Sequence, residues 1–189
     1  MEKLTLIIPI PKIIASLVLW FVLHHRKKHY GYTFRRIKLA KDKFAIVDVE
    51  DYLKLSEYDW HLCENKSKNS YAFRQENGRF IKMHRVIMNA PAGVVVDHKY
   101  GDGLDNRKVN LRIATIAQNQ YNRRKISRKT TSKYKGVHYR KKSKKYYAAI
   151  GHKGKKTHLG CFGNEIDAAK AYDEAAKMLF GDFASLNFE

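Results

Sequence analysis

Residues able to act on a phosphodiester bond are concentrated in the stretch from Val94 to Arg124. The pair Asp97-His98 is followed by Asn110 and Asn119. Carboxylate and amide oxygens are hard ligands, which suit Mg²⁺, Mn²⁺ or Ca²⁺ better than zinc. A neutral imidazole, with an unperturbed pKa of about 6.5, can take a proton from water near neutral pH. The residue types therefore predict metal-assisted hydrolysis, in which a base activates water and a cation stabilises the charged phosphate.

Two short strands and a loop must position the first of these residues. Val94 to Val96 are three consecutive β-branched residues, typical of a buried strand. Leu111 to Ala114 alternates apolar and polar residues, which predicts a second strand. The glycine-containing polar segment from 99 to 110 predicts a loop between them. Asp97 and His98 should therefore stand at the end of the first strand.

A helix should carry the last candidate ligand. Thr115 and Gln118 have the spacing of a capping box, which predicts that a helix begins after Thr115. Asn119 then lies in its first turns. The expected order is strand, loop, strand and helix.

Each candidate residue also has an ordinary explanation. Asp-His pairs occur on many protein surfaces, Asn110 could be a turn residue, and Asn119 could be a solvated helix residue. The hypothesis depends on their joint spacing. Asp102 and Asp105 do not form a calcium loop of the EF-hand type, because the spacing differs and no Glu closes it.

The joint pattern resembles the ββα-metal motif of phage and intron HNH homing endonucleases. The resemblance lies in DHKYGDGLDNRKVNLRIATIAQNQYNRR (97–124) and its lead-in MHRVIMNAPAGVVV (83–96). It implies a general base at His98, metal ligands at Asp97 and Asn119, and a loop-holding role for Asn110. By the same resemblance, His84 could assist the active site or be structural. The implied cofactor is Mg²⁺ or Mn²⁺, without a small-molecule cofactor.

Composition favours a polyanionic partner. The chain has 189 residues, a formal net charge of +20 and a sequence pI of about 9.9. Nucleic acid is the first candidate partner and an acidic membrane the second. The two cysteines, Cys63 and Cys161, support neither a disulfide framework nor a zinc ribbon. We therefore expect a cytoplasmic protein.

The N-terminal segment from Leu4 to Leu23 is strongly apolar and precedes a basic run from 24 to 29. A membrane span needs about 20 apolar residues, and Lys12 with two prolines interrupts this one. We therefore expect no membrane partner. A signal anchor, a helix packed on the protein and an extension from an upstream start site remain open.

The region before the HNH motif should be a small β domain. A strand is predicted from Phe44 to Val49, followed by an acidic helical turn. The dipeptide Asn77-Gly78 predicts a hairpin between strands 71–75 and 79–83. Tyr58 and Trp60 are predicted to lie in the core.

Basic residues dominate the junction and the region after it. No Asp or Glu occurs from Asn106 to Asn164. Phosphate contacts are predicted for the junction residues, although basic linkers are often merely solvated. These residues are Arg123, Arg124, Lys125, Arg128, Lys129, Lys133 and Lys135.

The C-terminal region predicts three strands and one helix. The strands are expected at 134–137, 146–150 and 156–162, and the helix at 165–180, between Asn164 and Gly181. The helix should pack on the sheet through Ile166, Ala169, Tyr172, Ala176 and Leu179. The opposite sheet face should carry Lys135, Arg140, Lys142, Lys145 and Lys155 among aromatic residues.

This region resembles the Apetala-type, ethylene-response-factor DNA-binding domain. The resemblance lies in YKGV (134–137), YYAAI (146–150), THLGCF (157–162), EIDAAKAYDEAA (165–176) and LNF (186–188). It implies DNA contacts by Arg140, Lys142, Lys145 and Tyr147. The family usually has Trp where Tyr146 stands and often Arg where Tyr147 stands, so base specificity does not follow from the resemblance.

Together these patterns predict an α+β protein with three parts: 1–31 of uncertain role, a nuclease domain at 32–125 and a DNA-binding domain at 126–189. The expected activity is site-directed hydrolysis of double-stranded DNA. One core per chain favours nicking by a monomer, although a homodimer could cut both strands. The alternative is a sequence-specific DNA-binding transcription regulator whose HNH core is inactive.

Overall fold

Four small antiparallel sheets and five α-helices form the described part of the chain, which confirms the mixed α+β class. The computed structural model describes residues 11–40, 42–64, 69–125 and 130–188. The strands are β1 Arg35–Lys38, β2 Phe44–Val47, β3 His61–Glu64, β4 Ser70–Glu76, β5 Arg79–Lys82, β6 Val95–His98, β7 Leu111–Ala114, β8 Val137–Arg140, β9 Lys145–His152 and β10 Lys155–Phe162. The helices are α1 Lys12–Tyr30, α2 Val49–Ser56, α3 Met83–Ile87, α4 Ile116–Tyr121 and α5 Glu165–Phe180.

Helix α1 contains the described part of the apolar N-terminal segment. No residue of α1 is buried, which argues against the alternative of a helix packed along its length on the protein. The helix contacts the body at its C-terminal end, where the Arg26 guanidinium donates a hydrogen bond to the Phe34 carbonyl. Within the described ranges, no helix is both long and apolar enough to span a bilayer. Residues 4–10 of the apolar segment lie outside the described residues.

The core of the β domain lies between the β1–β2 hairpin, the β3–β4–β5 sheet and helices α2 and α3. Its buried residues are Ile37, Leu39, Ala45, Val47, Leu55, Trp60, Ala72 and Met83. The core position of Trp60 is confirmed, and its Nε1 donates a hydrogen bond to the Leu55 carbonyl at 2.7 Å. The prediction for Tyr58 is wrong, because that ring is 38% exposed and lies against the Arg74 guanidinium.

The predicted hairpin between β4 and β5 is confirmed. Asn77 and Gly78 both have positive φ, at 49° and 72°, as a tight two-residue hairpin turn requires. Two predicted boundaries are wrong at the C-terminal end. β2 ends at Val47 because Val49 begins α2, and β5 ends at Lys82 because Met83 begins α3.

Strands β6 and β7 and helix α4 form the predicted ββα unit. The antiparallel register pairs Asp97 with Arg112 and His98 with Leu111. The capping box is confirmed: Thr115 Oγ1 accepts a hydrogen bond from the Gln118 amide, and Gln118 Oε1 accepts one from the Thr115 amide. The loop between the strands is attached to β2, because the Asn106 amide donates to the Ile46 carbonyl at 2.7 Å.

Helix α5 packs on one face of the β8–β9–β10 sheet, and its predicted limits are confirmed. Its buried residues are Ala168, Ala169, Tyr172, Asp173, Ala176 and Phe180. The predicted packing residues are wrong at the two ends of the helix, since Ile166 and Leu179 are 50% and 42% exposed. Small alanines let the helix approach the sheet closely, so these larger side chains remain outside.

The first C-terminal strand starts later than predicted, at Val137. Gly136 has a φ of +75°, and a Cβ there would lie 1.9 Å from the Tyr172 ring. The left-handed backbone at Gly136 breaks the extended chain, so residues 134–136 are a turn that packs under α5.

The C-terminal unit docks on helix α4. The Tyr121 ring stacks on Phe180 with 3.9 Å between ring centroids and 8° between planes. Lys135 Nζ donates to the Tyr121 carbonyl at 2.6 Å. Lys125 Nζ donates to the carbonyls of Ser132 and Tyr134. Residues 126–129, which contain the predicted domain boundary and the predicted contacts Arg128 and Lys129, lie outside the described residues.

Candidate active site

A cavity of about 470 Å³ opens between the ββα unit and the β3–β4–β5 sheet. It brings together three predicted residues, because Asp97, His98 and Asn119 all line it. Its rim is basic. The cationic residues of the lining are Lys82, Arg85, Arg123, Arg124 and Lys125. A rim of this charge attracts the phosphate backbone of a nucleic acid.

The His98 imidazole is buried and held by a neighbouring amide. Its Nε2 lies 3.4 Å from Asn106 Oδ1. The Asn106 side chain is oriented by its own Nδ2, which donates to the Leu104 carbonyl at 3.1 Å. An amide oxygen is an acceptor, so the hydrogen of the neutral ring belongs on Nε2 and the free lone pair on Nδ1.

Burial lowers the pKa of His98, while the hydrogen bond to Asn106 and the charge of Asp97 act in the opposite direction. The desolvation cost falls on the imidazolium, which is the charged form. The ring is therefore neutral at physiological pH and can accept a proton.

Three side-chain nitrogens of Arg112 and Asn122 surround the Asp97 carboxylate and the adjacent carbonyl. Arg112 Nε donates to Asp97 Oδ2 at 2.9 Å, and Arg112 Nη2 lies 2.8 Å from the same oxygen without hydrogen-bond alignment. Asn122 Nδ2 lies 3.1 and 3.0 Å from the two carboxylate oxygens and donates to the His98 carbonyl at 2.9 Å. Oδ2 is therefore engaged by the guanidinium, whereas Oδ1 meets only the Asn122 amide within the described chain.

Asn110 lies behind the cavity and holds the loop. Its Oδ1 accepts a hydrogen bond from the Tyr100 amide at 2.9 Å, and its Nδ2 donates to the Asp105 carbonyl at 2.7 Å. The side chain is fully buried. These are the bonds expected of a residue that fixes the loop between β6 and β7.

The donors in the cavity fit a hard divalent cation. One carboxylate, from Asp97, and one amide oxygen, from Asn119, line the same cavity. Across the described ranges, no cluster of three or more His, Cys, Asp or Glu side chains is placed to hold a metal ion. Two protein ligands suit an ion such as Mg²⁺, which keeps waters and takes substrate phosphates.

A second buried histidine, His84, faces His98 in this cavity. The two rings are edge-to-face, with centroids 4.9 Å apart. Burial, followed by the charge of His98, lowers the pKa of His84 to about 3. Its Nδ1 is buried and has no hydrogen-bond partner within the described residues. His84 therefore places a neutral ring against the predicted base.

Three further residues of the site were not predicted from sequence. Asn122 lies three positions after Asn119, which places both on one face of α4, so helical spacing could have indicated it. Arg112 is opposite Asp97 only once the β6–β7 register is known. No local signal indicates the contact between Asn106 and His98.

The predicted DNA-binding residues fall into two groups. Arg123, Arg124 and Lys125 line the cavity. The second group lies on the β8–β9–β10 sheet or in its turns and is exposed. It consists of Arg140, Lys142, Lys145 and Lys155. Among them the partly exposed Tyr147 ring lies 4.5 Å from the Arg140 guanidinium.

The predicted position of Lys135 on the outer sheet face is wrong. The residue precedes β8, and its ammonium group is engaged at the α4 junction. Burial lowers the pKa of Lys135 to about 8. The cause of the error is the late start of β8, which removes Lys135 from the strand and its alternation. The predicted position of Lys155 on that face is also wrong, because Lys155 pairs with His152, whose ring lies against Phe180 of α5.

Two comparisons bear on the identity of the chain. Residues 71–121 match a family described as HNH endonuclease. The chain is also 33% identical over 161 residues to an uncharacterized HNH endonuclease of Acanthamoeba polyphaga mimivirus. That alignment covers 82% of this chain and 80% of the relative. The matched range includes Asp97, His98, Asn110 and Asn119.

Proposed function

Because the chain belongs to the HNH endonuclease family, we propose that it hydrolyses phosphodiester bonds of double-stranded DNA with one divalent cation, Mg²⁺ or Mn²⁺. The observation that carries this proposal is the shared cavity of Asp97, His98 and Asn119 with its basic rim. The neutral His98 ring would act as the base.

Each residue has a separate task in this mechanism. His98 would accept the proton of the attacking water on the nitrogen that does not face Asn106. Asp97 and Asn119 would hold the cation, which supplies positive charge to the phosphate and to the leaving oxygen. Asn110 keeps the loop closed behind them through its bonds to Tyr100 and Asp105.

The path of the duplex is supported by two adjoining clefts with cationic residues in their linings. Arg124 and Lys125 line both the active-site cavity and a second cleft, whose lining includes Lys133 and Lys135 from the C-terminal unit. We propose that this unit, of the ethylene-response-factor type, anchors the duplex through its outer sheet face. The contacts would be made by Arg140, Lys142, Lys145 and Tyr147. With this division of roles, we propose that cleavage is site-directed, as in homing endonucleases.

A plasmid assay with the His98→Ala variant tests the proposed chemistry. Purified protein is incubated with supercoiled DNA carrying the flanking sequence of its own gene, either with Mg²⁺ or with EDTA. We expect metal-dependent conversion to open circle, no conversion by the variant, and equal duplex binding by both proteins in EDTA. Linear product would instead indicate paired cuts by a dimer.

Undiminished cutting by the variant would exclude His98 as the base. Binding by the wild-type protein without cutting in any divalent metal would overturn the nuclease proposal. It would favour the DNA-binding regulator instead. Circular dichroism spectra of both proteins exclude a folding defect as the cause of a negative result.

A further inference from the structure

Arg112 connects the catalytic carboxylate to the C-terminal unit. On one side its Nε donates to Asp97 Oδ2 at 2.9 Å. On the other side its Nη1 donates to the Asp182 carbonyl at 2.6 Å, and its guanidinium lies 3.8 Å from the Phe183 ring centroid. Asp182 and Phe183 belong to the 3₁₀ turn Gly181–Phe183, which follows α5. The Arg112 side chain therefore links Asp97 of β6 to a turn that lies 70 residues after Arg112 in the sequence.

The turn that holds Arg112 is itself fixed. It follows Phe180 directly, and the Phe180 ring stacks on Tyr121 of α4. Lys135, from the C-terminal unit, also donates a hydrogen bond to the Tyr121 carbonyl of α4. The turn is therefore held next to α4 on one side and contacts the Arg112 guanidinium on the other. This leaves the Arg112 side chain little freedom to move away from Asp97.

The chemistry of Arg112 suits this bridging position. A guanidinium offers donors in a rigid planar fork and can stack on an aromatic ring at the same time. A lysine would keep the charge but has one nitrogen, which cannot reach the carboxylate and the Asp182 carbonyl while stacking on Phe183. The site therefore depends on the shape of arginine as well as its charge.

We infer that Arg112 is a positioning residue through which the docked C-terminal unit orients Asp97. By holding Oδ2, Arg112 leaves Oδ1 as the oxygen available to a cation in the cavity. This inference rests on the proposed function of Asp97 as a metal ligand. It assigns the C-terminal unit a second task, separate from DNA anchoring: the geometry of the metal site depends on its docking.

The test measures Mn²⁺ affinity in the full-length protein without DNA, by electron paramagnetic resonance of the free ion. Two variants break the bridge from opposite sides: Phe183→Ala removes the ring, and Arg112→Lys removes the fork and keeps the charge. Outer-shell partners of metal ligands typically contribute tenfold or more to metal affinity. We therefore expect the Mn²⁺ dissociation constant to rise about tenfold in both variants.

A matched control is Tyr58→Ala. This change removes an exposed ring that lies 3.6 Å from the Arg74 guanidinium, away from the active-site cavity. We expect wild-type Mn²⁺ affinity in this control. In the two bridge variants kcat for nicking should fall at saturating DNA, whereas duplex affinity measured in EDTA should stay within about twofold, because neither residue is on the outer sheet face. Thermal melting in EDTA checks that all three variants fold.

The possible results separate this inference from the proposed function. Wild-type Mn²⁺ affinity in both folded bridge variants would overturn the positioning role and leave the nuclease proposal intact. An equal loss in Tyr58→Ala would also overturn it, because the effect would then be general. A wild-type protein that neither binds Mn²⁺ nor cuts DNA would refute both proposals.

Discussion

The outer sheet face offers the most quantitative test of DNA anchoring. Arg140 and Lys145 are directly opposite each other in the β8–β9 register, and both are exposed. Neither makes an ion pair within the described chain. Their charges are therefore free to meet phosphates, and the double variant Arg140→Ala/Lys145→Ala removes two such contacts at once.

The expected effect follows from counterion release. Each lost phosphate contact reduces the slope of log K against log salt by about 0.9. Two contacts reduce it by about 1.8. Between 50 and 200 mM salt, a fourfold change, the wild-type protein should therefore lose about tenfold more affinity than the variant does.

Fluorescence polarisation of a labelled duplex in EDTA measures this slope without cleavage. The matched control is Lys170→Ala/Lys177→Ala, which removes two exposed lysines from α5, the helix that covers the other sheet face. We expect the control to keep the wild-type slope. Equal slopes for wild type and the sheet variant, or the same reduction in the control, would refute anchoring by this face.

Two further predictions concern the base and the C-terminal fold. Because burial lowers the pKa of His98, the neutral base persists into more acidic solution. The acid limb of the pH profile of kcat/KM for nicking should therefore have its midpoint below about 6.5, the ordinary pKa of histidine. A midpoint at or above that value would contradict a buried base. Gly136→Ala would place a Cβ 1.9 Å from the Tyr172 ring, so urea unfolding should show a loss of at least about 2 kcal/mol. Gly154→Ala, with a similar φ of +77° and nothing within 4 Å, should lose only the backbone cost of about 1 kcal/mol, and equal losses would exclude a clash as the cause.

Local signals were enough to predict the elements that carry the proposed catalytic residues. The β4–β5 hairpin depends on Asn77-Gly78, and the start of α4 depends on Thr115 and Gln118. In each case the side chains that specify the structure lie within a few residues of it. The strand order around Asp97 and His98 could be predicted for the same reason.

Packing between distant segments was not predictable in this way. The helical period alone favours Ile166 and Leu179 for the buried face of α5. Close approach to the sheet favours Ala168 and Ala169 instead, because small side chains let the backbones come nearer. The residues around Lys135 predict a strand, but the left-handed backbone at Gly136 interrupts the extended conformation there. These errors share a cause, since the deciding partner, the sheet or Tyr172, lies elsewhere in the sequence.

The proposed role of Arg112 also depends on contacts between distant segments, which the sequence does not predict. Its place in an alternating strand predicts only an outward-facing polar residue. Two long-range events give it a role: the β6–β7 register sets it against Asp97, and the docking of α5 brings the Asp182 carbonyl and Phe183 to its other side. A nuclease core transferred to another chain would keep Asp97, His98 and Asn119 but lose the second of these events. Such a core should therefore bind its cation more weakly than the intact chain, even though all three proposed active-site residues are present.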